Sequence, residues 1–315
     1  MTDPRHAAYG GPGWVGRPES LESELGSVWA PFSVGAEWTP LTDVLVHRPG
    51  PELAIDDEPD AALMLERPDP ARAAEQHEAM CEAYRDAGVR VHAVDPPGPA
   101  SPNQMFAADL MFMTRSGAIV GRPASSVRAG EERAIARRLA DLGVPILRSV
   151  AGEGTFEGAD AAWLDDDTIL VGQGLRTNAE GAFQVAGTLA EQEVGSLVID
   201  LPHGSMHLMG ELRIVDRDLA FARAGRLAWS ALEALRARGY EVRFFPSEEE
   251  NRAGMAHNFV TLGPRRILMP AGNPASERAY MEAGLEVRTV EVDELVKAAG
   301  AIGCLTGVLG REPAD

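Results

Sequence analysis

One pattern recurs five times along the chain: a helix-like run, a glycine, then a β-rich run. It reads "AYRDAGVRVHAV", "RLADLGVPILRS", "LAEQEVGSLVIDL", "ALRARGYEVRFF" and "AYMEAGLEVRTVEV". The glycines are Gly88, Gly143, Gly195, Gly239 and Gly284, spaced 55, 52, 44 and 45 residues apart. Each stands where a helix C-terminus takes a residue of positive φ. The helices before them are amphipathic: Ala73, His77, Met80, Cys81, Tyr84 and Gly88 share one face, as do Ile135, Leu139 and Leu142. Cys81 therefore reads as a core residue. Alternation of helix and strand places the chain in the α/β class. A unit repeated about every 50 residues implies a ring or stack of similar modules whose inner edges face a common axis.

The repeats start after residue 38. Residues 1–38 are rich in Gly, Pro and Trp without periodicity and read as an irregular N-terminal arm, leaving 39–315 as a single domain. A chain of 315 residues with 45% hydrophobic content can bury a sizeable core. It has no apolar run of about 18 residues and no secretory leader pattern, and its two cysteines, Cys81 and Cys304, do not make a disulfide framework. The expectation is a cytoplasmic protein without a membrane partner. Forty-eight acidic residues against 29 basic ones give a net charge of −19, which repels nucleic acid and attracts small cations.

Polar residues follow each glycine at comparable offsets: Asn103 and Asp109 after the first, Glu157 after the second, His207 after the third, Asn258 after the fourth and Cys304 after the fifth. Singly, each has an ordinary structural explanation. Together, a thiol, an imidazole and two carboxylates converging from different repeats supply a nucleophile, a proton shuttle and a pair of anions. Attack on a cationic amidine carbon needs that set.

The segments "LTDVLVHRPG", "PNQMFAADLMFMT", "RPASSVRAGEE", "FEGADAAWL", "GLRTNAEG", "SMHLMGELRIVD", "HNFVTLGP" and "GAIGCLTGVLGRE" fall in the order seen in the guanidino-group-modifying enzymes, the pentein superfamily. The sequence resembles that superfamily from residue 39 to residue 312. Its branches include the dimethylarginine dimethylaminohydrolases, the arginine deiminases and the amidinotransferases. The resemblance implies a five-bladed, pseudo-symmetric α/β propeller of ββαβ modules. It also implies a cofactor-free hydrolase that cuts a guanidino C–N bond through a covalent thiouronium on cysteine, giving a ureido product such as citrulline.

Residue by residue, the family's nucleophile matches Cys304 and its histidine matches His207. Asp109 and Glu157 match the carboxylates that grip the guanidinium. Asn103 stands where a substrate-binding aspartate is usual, and Phe106 opens the "FxxD" segment. Arg128 and Arg176 resemble the arginines that meet the substrate carboxylate. Asp160 ends the "GAD" segment in a position more supporting than reactive, and it, Phe106 and Asn258 are counted with the substrate-binding group. No metal ligand set is expected, since neither HExxH nor paired-cysteine spacing occurs. The implied partner is a small cationic guanidino substrate, and a homodimer is left open.

Several positions depart from the family's pattern. Met209 stands where deiminases and amidinotransferases carry an acid two residues after the histidine, which favours the dimethylaminohydrolase branch. Ala159 replaces the middle glycine of "GGD", which requires negative φ there. Gly303 precedes the cysteine in place of the usual His or Thr, and Ala108 replaces an acid found beside Asp109 in some members. The alternatives are an amidinotransferase with an amine acceptor and a non-catalytic binding protein of the same fold. "GEGTFEG" lacks the spacing of a nucleotide-binding loop.

Overall fold

The computed structural model describes residues 3–56, 58–96 and 98–314. Its strands form five three-stranded sheets, each an antiparallel hairpin extended by a parallel strand that a helix delivers. The first module contains β1 (Leu41–Val46), α1 (Pro70–Asp86) and β2 (Arg90–Ala93), and the second β3 (Met111–Met113), β4 (Ala118–Val120), α2 (Glu132–Asp141) and β5 (Ile146–Ser149). The third holds β6 (Ala161–Trp163), β7 (Thr168–Gln173), α3 (Ala179–Ala190) and β8 (Gly195–Asp200). The fourth holds β9 (Leu212–Asp216), β10 (Leu219–Ala222), α4 (Trp229–Ala237) and β11 (Glu241–Phe244). The fifth holds β12 (Val260–Gly263), β13 (Arg266–Pro270), α5 (Pro274–Glu282) and β14 (Glu286–Val290). The missing hairpin strand of module one is β15 (Gly307–Arg311), which pairs antiparallel with β1 and closes the ring. This is the five-module α/β propeller that the resemblance implies, and the ring rather than the stack that the repeats left open.

Each helix begins and ends for a local reason. In α1 the Asp69 carboxylate caps the N-terminus by accepting from the N–H groups of Ala71 and Arg72, and Pro70 occupies the first turn, where it costs no hydrogen bond. The helix then buries Ala73, His77, Met80, Cys81 and Tyr84, most of them in a cluster with β1 and the turn Ile302–Leu305. Cys81 is a core thiol, 3.6 Å from His77 Nδ1.

Four of the five repeat glycines, Gly88, Gly143, Gly239 and Gly284, have φ between 74° and 87° at the helix exit. Gly195 does not. In the third module the left-handed residue is Glu193, at φ 60°, and Gly195 opens β8. The conserved element of the repeat is a left-handed residue, then a buried apolar one (Val89, Val144, Val194, Tyr240, Leu285), then the strand. Glu193 is exposed and bears the conformation at a cost of about 1–2 kcal/mol.

The strands β3, β6, β9, β12 and β15 surround the central axis, where their residues line adjoining cavities. No strand of these sheets lies within residues 3–40. That stretch is tied down where Ala30 N–H donates to Gly143 O at 3.0 Å, Val34 N–H to Thr114 O at 3.1 Å, and Trp163 N–H to Glu37 Oε1 at 3.0 Å. No helix among the described residues is long and apolar enough to cross a membrane.

Candidate active site

All five axial strands enter from the same end of the ring, and each is preceded by one of the polar residues singled out above. Asp109 lies in the helical turn Ala107–Leu110 before β3, and Glu157 just before the turn that enters β6. His207 precedes the turn into β9, Asn258 precedes β12, and Cys304 lies in the turn Ile302–Leu305 before β15. Residues 195 positions apart in sequence are thus at equivalent places in neighbouring modules.

Two contiguous cavities open onto this end. The first is lined by Cys304, Asp109, Asn103, Phe106, Arg128 and Arg176, and the second by Cys304, His207 and Asn258. Met206, Ala299 and Cys304 belong to both. Leu63 on the first wall, Met255 on the second and Ala299 on both hold φ of 61°, 50° and 67° without being glycine. Such strain persists where surrounding packing enforces it, commonly at a functional site.

Behind the cavities lies a network of buried charge. His207 Nε2 donates to Glu157 Oε2 at 2.7 Å and stands 3.8 Å from Asp109 Oδ1. Arg128 Nη1 donates to Asp109 Oδ2 at 2.6 Å and reaches Glu157 Oε2 at 3.4 Å, while its Nε donates to Glu131 Oε2 at 2.9 Å. Arg176 Nη1 donates to Glu157 Oε1 at 3.3 Å. Donor atoms of Asp109, Glu157 and His207 all lie within 4.8 Å of one another. Asp109 Oδ1 faces this cluster with no hydrogen-bond donor.

Burial alone would drive His207 toward its neutral form, but Asp109, Glu157 and Asp160 outweigh it and hold the imidazole up at about 9. Burial would likewise raise Glu157, yet the hydrogen bond from His207 and the charges of His207, Arg128 and Arg176 hold its carboxyl below the usual range. For Cys304, burial and the charge of Asp109 push the thiol up, against opposing pulls from Asn258, Ala301 and Arg213. The resting thiol is protonated at neutral pH.

These values carry a sign. A histidine whose pKa is raised on folding stabilises the fold fully below its unfolded value, near 6.5, and loses that contribution as pH rises through the folded value, about 9. The wild type is therefore expected to lose about 3 kcal/mol between pH 6.5 and pH 9.5, a loss that His207→Gln does not share. Melting temperatures of both proteins across that range check it; parallel curves would contradict it.

The structure places some expected residues differently from the family's pattern. Asp160 lines neither cavity: Oδ2 accepts from Thr177 Oγ1 at 2.6 Å, and Oδ1 from the Leu208 N–H at 2.9 Å. It fixes the strand entry beside His207, and burial raises its carboxyl to about 6. Asn258 grips Cys304: its Nδ2 donates to Cys304 Sγ at 3.0 Å and its Oδ1 accepts from the Cys304 N–H at 3.2 Å. Glu157 is 0% exposed and is covered by both arginines. Asn103 lines the first cavity and donates to Ala62 O at 2.8 Å.

Glu131 escaped the sequence reading. It is buried, holds Arg128, and accepts from Ser101 Oγ at 2.5 Å. Its signal was the three-residue spacing from Arg128 inside "RAGEE". Gly303 also gains a reason: a Cβ there would sit 2.1 Å from Arg213 Nη2. Arg213 fills that room, with its guanidinium carbon 5.6 Å from the centre of the Phe259 ring. Ala159 keeps negative φ, as its replacement of glycine requires.

The chain is similar to known proteins over most of its length. The family model described as N,N dimethylarginine dimethylhydrolase, eukaryotic, matches residues 63–307. The chain is 30% identical over 268 residues to a dimethylarginine dimethylaminohydrolase of Streptomyces coelicolor, covering 85% of this chain and 96% of that protein. It is 27% identical over 242 residues to one from Pseudomonas aeruginosa, covering 77% and 90%. The solved structure of a Pseudomonas aeruginosa dimethylarginine dimethylaminohydrolase mutant complexed with citrulline superposes with a TM-score of 0.71 at 25% identity, covering 85% of this chain and 98% of that one.

Proposed function

The chain belongs to the dimethylarginine dimethylaminohydrolase family, a family of hydrolases acting on C–N bonds in linear amidines, and from that premise we propose that it converts an N-methylated arginine-like substrate to a ureido product and an amine, with Cys304, His207, Asp109 and Glu157 as the working residues. The observation that carries the assignment is the meeting of Cys304 with Asp109 in one cavity and with His207 in the adjoining one.

The substrate's amino-acid end occupies the first cavity, beside Arg128, Arg176 and Asn103, and its guanidinium donates to Asp109, whose Oδ1 has no other donor. A guanidinium is a poor electrophile because resonance spreads its charge, so fixing its plane under a nucleophile supplies much of the rate. Its positive charge also counters the two influences that keep the resting thiol protonated, burial and Asp109. Cys304 thus ionises when the substrate is bound. Attack by sulfur on the guanidine carbon gives a tetrahedral adduct. His207, a cation at neutral pH and oriented by Glu157, donates its proton to the departing nitrogen. The neutral imidazole then takes a proton from water, whose oxygen adds to the thiouronium carbon and displaces the sulfur.

The test follows the guanidine carbon. N-methyl-L-arginine labelled at that carbon is expected to give labelled citrulline at the same rate with or without added glycine or ornithine. Label appearing in a new guanidino compound only when an amine is present would show amidino transfer instead, and no product under either condition would sink the reading.

A further inference from the structure

The thiol is approached through two contiguous cavities, and the amino-acid end of the substrate accounts for only one. We propose that the second is the subsite for the substituent on the departing nitrogen, and that the chain turns over guanidino substrates whose leaving amine carries an alkyl group larger than methyl. This rests on the function proposed above and goes beyond it in naming the substrate class.

Position comes first. His207, which protonates the departing nitrogen, and Cys304, which attacks the carbon bearing it, both form walls of the second cavity. With the amino-acid end beside Arg128 and Arg176 in the first cavity, as proposed above, the nitrogen that leaves projects past Cys304 into this space.

Size and surface come next. The second cavity, counted out to its open mouth, spans about 550 Å³, against about 290 Å³ for the first. Met206, Met209 and Met255 line it, offering flexible thioethers that mould to alkyl chains. Gly210 contributes no side chain, and a Cβ there would meet nothing nearer than His257 Nε2 at 3.8 Å. Its polar lining is His207 and Asn258 beside Cys304, together with Arg223, His257 and Glu211, the last 1% exposed with its Oε1 accepting from Arg226 Nε at 3.2 Å. Beside the polar groups that act on the nitrogen, the three methionines and Ala299 give an alkyl substituent an apolar surface to lie on. The atoms balance: the oxygen of water replaces the nitrogen on the guanidine carbon, and the substituent leaves intact as a primary ammonium ion.

The experiment compares kcat/KM for N-methyl-L-arginine and N-butyl-L-arginine on the full chain. The butyl compound is expected to react within about tenfold of the methyl compound, since a well-fitted methylene adds rather than subtracts binding. Gly210→Val, which fills the cavity, should lower the butyl-to-methyl ratio at least tenfold. Gly210→Ala adds one methyl at an ordinary contact distance and should lower it about threefold, so a valine variant that fails to fold leaves the test standing. A wild-type butyl rate more than a thousandfold below a measurable methyl rate overturns the subsite, as does an unchanged ratio in the folded variants. Turnover of neither compound overturns the function proposed above instead.

Discussion

Cys304→Ser is expected to cut the formation of ureido product by at least about 10⁴-fold while leaving the fold in place. A hydroxyl is far harder to ionise than a thiol, and the positive charge of a bound guanidinium, sufficient to tip Cys304, falls short for serine. The substitution is close in volume. Asn258 can still donate to the new oxygen and still accept from the residue-304 N–H, the two contacts that hold the catalytic turn. The melting temperature should therefore move by no more than about 3 °C, a change worth about 1 kcal/mol in a chain of this size. Product formation and thermal unfolding measured on one preparation decide the matter. More than 1% residual turnover in a folded variant would remove Cys304 from the nucleophile's role.

Glu157→Gln should have the largest effect on stability as well as a large effect on rate. Glu157 is the common partner of His207, Arg128 and Arg176, and its Oε1 also accepts from the Ala124 N–H at 3.1 Å. An amide keeps the shape but removes the charge, leaving His207 with a cation it can no longer share and Arg176 with no carboxylate within reach. Breaking a buried charge network by deleting one partner costs about 3–5 kcal/mol, which should appear as a fall of roughly 5–10 °C in melting temperature. Turnover should drop about a thousandfold, because His207 loses both its orientation and much of what keeps it protonated. Asp109→Asn is the informative comparison. Asp109 holds Arg128 alone among the arginines, so its loss should destabilise less while harming substrate binding as much. Equal destabilisation by the two variants would mean that the network is not centred on Glu157.

The ring itself was legible because each module must say the same thing locally: an amphipathic helix, an exit residue and an apolar strand. The gathering of the site residues was legible because the repeat put them in register, so that Asp109, Glu157, His207, Asn258 and Cys304 precede equivalent strands. The pairings among charged groups were not. Nothing in "RPASSVRAGEE" says that Arg128 will bond Asp109 and Glu131 rather than point wholly at a ligand, because that choice is made by carboxylates arriving from other modules. The partner of Asp160 was not legible for the same reason, since Leu208 lies 48 residues away. The slip at Gly195 had a different origin. Glycine is the usual left-handed residue, but a solvent-facing glutamate bears that conformation at modest cost, and the sequence shows no sign of it.

The closing strand has a consequence for how activity arises during folding. β15 completes the first sheet by pairing with β1, and the turn that carries Cys304 is its lead-in. Hairpin pairing within a module is local, whereas this clasp joins Leu41 to Arg311 and must wait until the intervening modules have taken their places. A partly folded chain consequently holds its acids and imidazole without the sulfur seated among them. Reactive chemistry is withheld until the circle is fastened, and any injury that unfastens it disarms the protein in the same motion.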